Sequence, residues 1–112
     1  MIVNALSRNI LAILFLTLSF HPRASEQWSG FVQLGHLYPS REGLTFTSSH
    51  TDDISTCDNG RRFIILIEHP NYQVMSSTLL TAWLVDANVS LNYKTNIEPL
   101  CGVPINRIIV RE

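Results

Sequence analysis

The residues of this 112-residue chain best suited to chemistry are few: His36, His50 and His69, the pair Cys57 and Cys101, and the run His50-Thr51-Asp52-Asp53. None of the histidines sits in a recognisable nucleophile or zinc motif. The His50 to Asp53 run offers possible cation ligands, but a metal needs several convergent groups of defined geometry, and the run reads instead as a solvated loop. There is no Gly-x-Ser-x-Gly elbow and no phosphate-cradling glycine loop. The chemistry-bearing residues therefore point to a protein that is not an enzyme and needs neither cofactor nor metal. With no Cys-x-x-Cys pair, the two cysteines read as one structural disulfide closing a loop of about 45 residues and stabilising by roughly 4 kcal/mol on the chain-entropy model.

These residues need elements to hold them, and the clearest element runs from Tyr72 to Ala87. Tyr72, Met75, Leu79, Ala82 and Trp83 recur at helical spacing on one face, with Leu80 and Ala87 at its edge, while Gln73, Ser77, Thr78 and Thr81 lie opposite. Pro70 and Asn71 suit the helix start and Asn88 its end. The period then changes to two, Val89, Leu91 and Tyr93 alternating with Ser90, Asn92 and Lys94, which predicts a half-buried strand. Asn88-Val89-Ser90 matches a glycosylation acceptor, but the structural use of these residues is the better reading.

Before the helix, Trp28 to Tyr38 is a strand candidate bent at Gly35, Pro39 to Gly43 a turn, and Gly43 to Thr47 its hairpin partner. Ser48 to Gly60 reads as a polar loop tied down at Cys57 and closed by Asn59-Gly60. The unbroken run Phe63-Ile64-Ile65-Leu66-Ile67 predicts a central strand, and Arg61-Arg62 before it a solvated approach. Ile105 to Val110 is the last strand. The order implies a β-rich α+β domain, a small five-stranded OB-fold-like barrel with one helix between strands 3 and 4. An open α+β sheet packed on one helix uses the same elements and is the alternative.

Residues 1–25 read as a signal peptide, with Arg8, an apolar run from Ile10 to Phe20, and cleavage after Ala24 or Ser25. That run is shorter than the roughly 20 residues a bilayer span takes, so no membrane span is expected after cleavage. Residues 26–112 make one domain, secreted or periplasmic, with six Lys and Arg against nine Asp and Glu. No basic stripe is visible, which argues against a nucleic-acid partner.

The junction Leu79-Leu80-Thr81-Ala82-Trp83 leading to Asn88-Val89-Ser90-Leu91-Asn92-Tyr93, with the opening Glu26-Gln27-Trp28-Ser29-Gly30, resembles the binding subunits of pentameric bacterial toxins, the subtilase-cytotoxin and pertussis-like group. The resemblance implies an OB-fold, a homo-oligomer in which Ser77, Thr78 and Thr81 face a neighbour or a central pore, and a cell-surface glycan as ligand. Under one of two competing alignments Ser29 is the sugar-contacting hydroxyl; under the other it has no such role. Trp28, Ser29 and Tyr38 are the candidate ligand-binding residues. The alternative function is a small exported inhibitory or protein-interaction protein without a glycan ligand, acting through a sheet edge or the Ser48 to Gly60 loop.

Overall fold

The computed structural model describes residues 25–111. The expected leader lies outside the described residues except for Ser25. Among the described residues six strands and one helix follow in the order β1 (Glu26–Val32), β2 (Leu34–Ser40), β3 (Gly43–Ser48), β4 (Arg62–Leu66), α1 (Tyr72–Leu84), β5 (Asn88–Lys94) and β6 (Val103–Arg111), with a 3-10 turn at Asp58–Gly60. The strands form one sheet in the order β1-β5-β6-β4-β3-β2, antiparallel throughout except for a short parallel contact between β4 and β6.

This corrects the five-stranded OB-fold-like barrel. The stretch expected as one strand, Trp28 to Tyr38, is divided at Gln33: Val32 pairs with Val89 of β5, and Leu34 pairs with Ser48 of β3. The two halves become the opposite edges of the sheet, and no ladder between them closes it. Two irregularities force the division. Gly30 takes a left-handed φ of 76° inside the β1 bulge between Trp28 and Phe31. A second bulge between Leu34 and Leu37 gives the His36 N–H to the Thr47 hydroxyl at 2.8 Å, where Gly35 leaves room for Thr47. The open α+β sheet packed on one helix is the arrangement adopted. The likeness to toxin-binding subunits thereby loses the closed barrel it implied.

The hydrophobic pattern builds the core as its spacing requires. Phe63, Ile64 and Ile65 of β4 are buried in the sheet interior, whereas Ile67, beyond the strand end, is exposed. Met75, Leu79 and Ala82 of α1 close over Phe46, Phe63, Ile65, Val89, Leu91, Tyr93, Val103 and Ile105. Each large apolar side chain taken fully from water contributes about 1.5–3 kcal/mol. Two of the residues assigned to the helix's core face sit differently. Tyr72 is half-buried against the core, and Trp83 is 43 % exposed, its indole N–H donating to the Gly35 carbonyl at 2.9 Å. Trp83 therefore pins the helix end to β2 rather than filling the core.

The helix is also shorter than the periodicity suggests. Asp86, at φ 57°, supplies the left-handed residue assigned to Asn88, and the Ala87 N–H reaches back to the Ala82 carbonyl at 2.9 Å. Asn88 is thereby free to start β5. Cys57 and Cys101 are joined, and beside them the Thr56 N–H and the Leu100 N–H bond across to the Leu100 and Ile54 carbonyls, both at 2.8 Å. The crosslink and these bonds hold the loop before β4 against the connection before β6. No helix among the described residues is long and apolar enough to cross a membrane.

Candidate functional site

The three residues singled out as ligand contacts are not brought together. Trp28 and Ser29 lie on β1, and Tyr38 lies on β2 at the opposite edge. The Ser29 hydroxyl accepts the Leu91 N–H at 2.9 Å and donates to the Gly30 carbonyl at 2.6 Å. It is occupied in filling the β1 bulge. Trp28 is 42 % exposed.

Tyr38 belongs to a different constellation, built by the disulfide-tied turn. Asp58 and Asn59 both take left-handed backbone, at φ 53° and 55°, and Gly60 follows at φ 84°. Short polar residues and glycine are the types that tolerate this conformation. The coil swings the Asp58 carboxylate toward β2 and β4. Its Oδ2 accepts the Arg62 Nε–H at 2.7 Å and the Tyr38 hydroxyl at 2.9 Å, and the Arg62 guanidinium stands over the Tyr38 ring at 5.3 Å. The Arg62 guanidinium, and after it the Tyr38 hydroxyl, hold the Asp58 carboxyl below the usual carboxylate range. The same hydrogen bond to Asp58 raises the Tyr38 hydroxyl above its ordinary value, and Asp58 raises Arg62.

Beside this trio opens a hollow of about 300 Å³ lined by Gln33, Gly35, His36, Ser49, Asp58 and Arg61, among others. Its polar groups are held but not exhausted. Asp58 Oδ1 has no hydrogen-bond partner among the described residues, both of that side chain's bonds running through Oδ2. Arg61 uses Nε on the Asp58 carbonyl at 3.1 Å, and its terminal nitrogens remain for another acceptor. The Ser49 Oγ accepts the Gln33 N–H at 3.1 Å and keeps its own hydrogen to give. At the margin the His36 ring stacks on Tyr38 with centroids 6.3 Å apart. A carboxylate acceptor, guanidinium donors, a hydroxyl, an amide and a ring face thus surround one small concavity.

Of the residues around the hollow, only Tyr38 was named from the sequence as a ligand contact; Asn59-Gly60 reads there as a turn, and Ser49 and Asp58 enter only as part of the Ser48 to Gly60 loop offered as a protein-contact surface. The usable signal was Cys57-Asp58-Asn59-Gly60-Arg61-Arg62, charged residues of both signs on a tight turn anchored by a disulfide.

A second polar cluster is closed to ligands. Tyr93 is fully buried, and its hydroxyl sits 2.6 Å from Asp52 Oδ2, 2.7 Å from His50 Nε2 and 2.6 Å from Gln27 Nε2. A phenol has one hydrogen, and the carboxylate takes it, so His50 and Gln27 must both donate. Burial, and then the bond to Asp52, push the Tyr93 hydroxyl far above its ordinary value. The cluster ties the loop at His50 and Asp52 to β5 and β1. Tyr93→Phe is expected to cost about 1–3 kcal/mol in urea denaturation, because it leaves the half-buried Asp52 and His50, and the exposed Gln27, short of a partner. A neutral result would show that the hydroxyl is not the knot of that loop.

Two other hollows, each about 500 Å³, are larger but offer less chemistry. One lies at the helix start between Ile67 and Val74, where His69 is engaged at both ring nitrogens, by the Asn106 carbonyl at 3.0 Å and the Asn71 N–H at 3.0 Å. The other runs along Ile64, Leu66, Leu100 and Pro104 and is mainly apolar. Among the described residues no three His, Cys, Asp or Glu side chains gather as a metal site. Comparison of the chain with family models, with curated proteins and with solved structures finds no match.

Proposed function

We propose that this chain is an exported, non-catalytic carbohydrate-binding domain, secreted or periplasmic, which takes a sugar residue in the hollow between β2, β3 and the disulfide-tied turn. The observation that carries this reading is the set of unexhausted polar groups around one concavity: Asp58 Oδ1, the Arg61 terminal nitrogens, the Ser49 hydroxyl and the Gln33 amide, with the His36 ring at its margin. A sugar offers vicinal hydroxyls that donate to a carboxylate and accept from a guanidinium, and an apolar ring face that lies against an aromatic one. Tyr38 serves as a positioning residue through its bond to Asp58. No cofactor enters this reading, because recognition needs only the fixed dipoles and charges.

A glycan array probed with the oxidised protein tests it. Retention on at least one saccharide is expected, with about a tenfold loss or more in Asp58→Asn. The pH dependence has a fixed sign. Asp58 has a depressed pKa, so its charged form is present above the ordinary carboxylate value near 3.9 and is lost only as pH falls through a lower folded value. Binding should therefore hold from pH 7 down to about 4 and fail below. Binding that fades between pH 6 and 5, or an Asp58→Asn variant of unchanged affinity, would remove the hollow from the account.

A second reading is favoured by the helix. Val74, Leu84 and Val85 are each at least 67 % exposed and Leu80 is 46 % exposed, an apolar outer surface on α1 and the turn after it. A protein partner or a second copy of the chain would cover it. Light scattering at high concentration and capture from envelope extracts address this reading, and a strict monomer that retains no protein ends it.

A further inference from the structure

The half of the sheet farthest from the hollow presents an ordered arrangement of side chains on the face opposite the core. Register places Trp28, Asn92 and Arg107 side by side on one face, then Phe31, Ser90 and Ile109 on the same face, with Glu26 and Lys94 before them and Asn88 and Arg111 after. The face is opposite to that of Val89, Leu91 and Tyr93, which are core. Asn92 and Ser90 on the middle strand are buried, at 2 % and 4 % exposure, while the flanking Trp28, Phe31 and Ile109 are exposed at 42, 39 and 47 %. Arg111 reaches across β5 to lie over the Phe31 ring at 3.9 Å. The large side chains of the outer strands thus roof the small ones of the middle strand.

The charges on this face are segregated from those of the rest of the domain. Lys94, Arg107 and Arg111 stand against one acid, Glu26, whose Oε1 is engaged by the Asn106 amide at 3.3 Å. Over the remainder of residues 25–111 there are three Lys or Arg and seven Asp or Glu. An apolar centre of Trp28, Phe31 and Ile109 is therefore flanked at both ends by cations, on a domain that is otherwise acidic.

We infer that this face docks the domain on an anionic phospholipid surface. Indole and phenyl rings favour the boundary between headgroups and acyl chains, and long basic side chains can keep their charge among phosphates while their stems follow the apolar material. The charge complement selects the occupant: the three cations match a negative leaflet, and the acidic remainder of the domain is held away from it. Binding is peripheral, through three ring or branched side chains and three cations, and leaves the hollow on the other half of the sheet open.

Vesicle flotation with the purified protein tests this. Vesicles of phosphatidylcholine containing a third phosphatidylglycerol are expected to bind about a hundredfold more tightly than phosphatidylcholine alone, since each surface cation contributes about fivefold. Arg107→Gln should lose about fivefold and Trp28→Ala more, while Arg41→Gln, in the turn between β2 and β3, should change nothing. In a Trp83→Phe background the remaining Trp28 should shift its emission to the blue on binding. Equal affinity for both vesicle types, no binding to either, loss in Arg41→Gln as large as in Arg107→Gln, or an unmoved Trp28 emission overturns the proposal. Capture of a soluble acidic protein by this face without vesicle binding also overturns it, in favour of a protein partner.

Discussion

Replacing both cysteines, as Cys57→Ser with Cys101→Ser, is expected to lower the unfolding free energy by about 4 kcal/mol, the chain-entropy value for a loop of this length. A domain of this size has roughly 4–13 kcal/mol of stability in all, at about 0.05–0.15 kcal/mol per residue, so the loss is a large share. Secondary structure should persist at low temperature, because the backbone bonds between Ile54, Thr56 and Leu100 bridge the same two segments independently. The turn after Cys57 carries Asp58, and Arg61 and Arg62 follow it, so the saccharide hollow should loosen before the sheet does. Urea titration of the oxidised protein and the double variant measures the difference. A change below about 1 kcal/mol would mean that those two backbone bonds, not the crosslink, hold the junction.

Phe63→Ala is expected to cost about 3–5 kcal/mol, the ordinary range for deleting a buried phenyl ring. Phe63 has no exposed surface, and its ring lies 6.2 Å from Phe46, 5.3 Å from Tyr93 and 6.0 Å from the His50 ring. Removing it opens a cavity under both the core and the Tyr93 cluster, so the lost packing and the loosened polar bonds are coupled. Ile67, from the same apolar run, is 52 % exposed and should tolerate alanine within about 0.5 kcal/mol. Denaturation midpoints for the two variants separate them. Equal costs would contradict the strand boundary at Leu66.

Much of the layering was legible because it rests on local period. The two-residue alternation after Ala87 gave β5, and the run from Phe63 gave the buried β4. Helical spacing put Met75, Leu79 and Ala82 in the core. It also assigned Trp83 there, since spacing cannot tell an indole that packs from one that spans the helix end to reach the Gly35 carbonyl. The division at Gln33 was not legible. Gly35 marked one bulge, but the second, at Gly30, depends on Ser29 meeting the Leu91 N–H, a pairing 62 residues away. Without that second break the chain reads as one strand and the sheet as a closed barrel.

The hollow was illegible for the same reason. Its walls come from residues 33–36, 47–49, 58 and 61, and only the paired strands and the disulfide-tied turn bring the two ends of the Ser48 to Gly60 loop against residues 33–36. Asp58 reads as one acid in a polar loop until the left-handed turn carries it to Tyr38 and Arg62. Ser29 is a candidate only through one alignment with the toxin-binding subunits, and its bonds to Leu91 and Gly30 commit it to the backbone. Local polarity identifies a candidate; only the partner across the sheet decides whether the group is free.

The most direct test of the carbohydrate-binding account is amide chemical-shift mapping of the isotope-labelled, oxidised protein during titration with a saccharide selected from the array. Saturable shifts are expected centred on Gln33, His36, Ser49, Asp58 and Arg61, with β1 and the outer surface of α1 unmoved. Shifts confined to Trp28 through Phe31, or to Val74 through Val85, or no saturable shift with any saccharide, would contradict it.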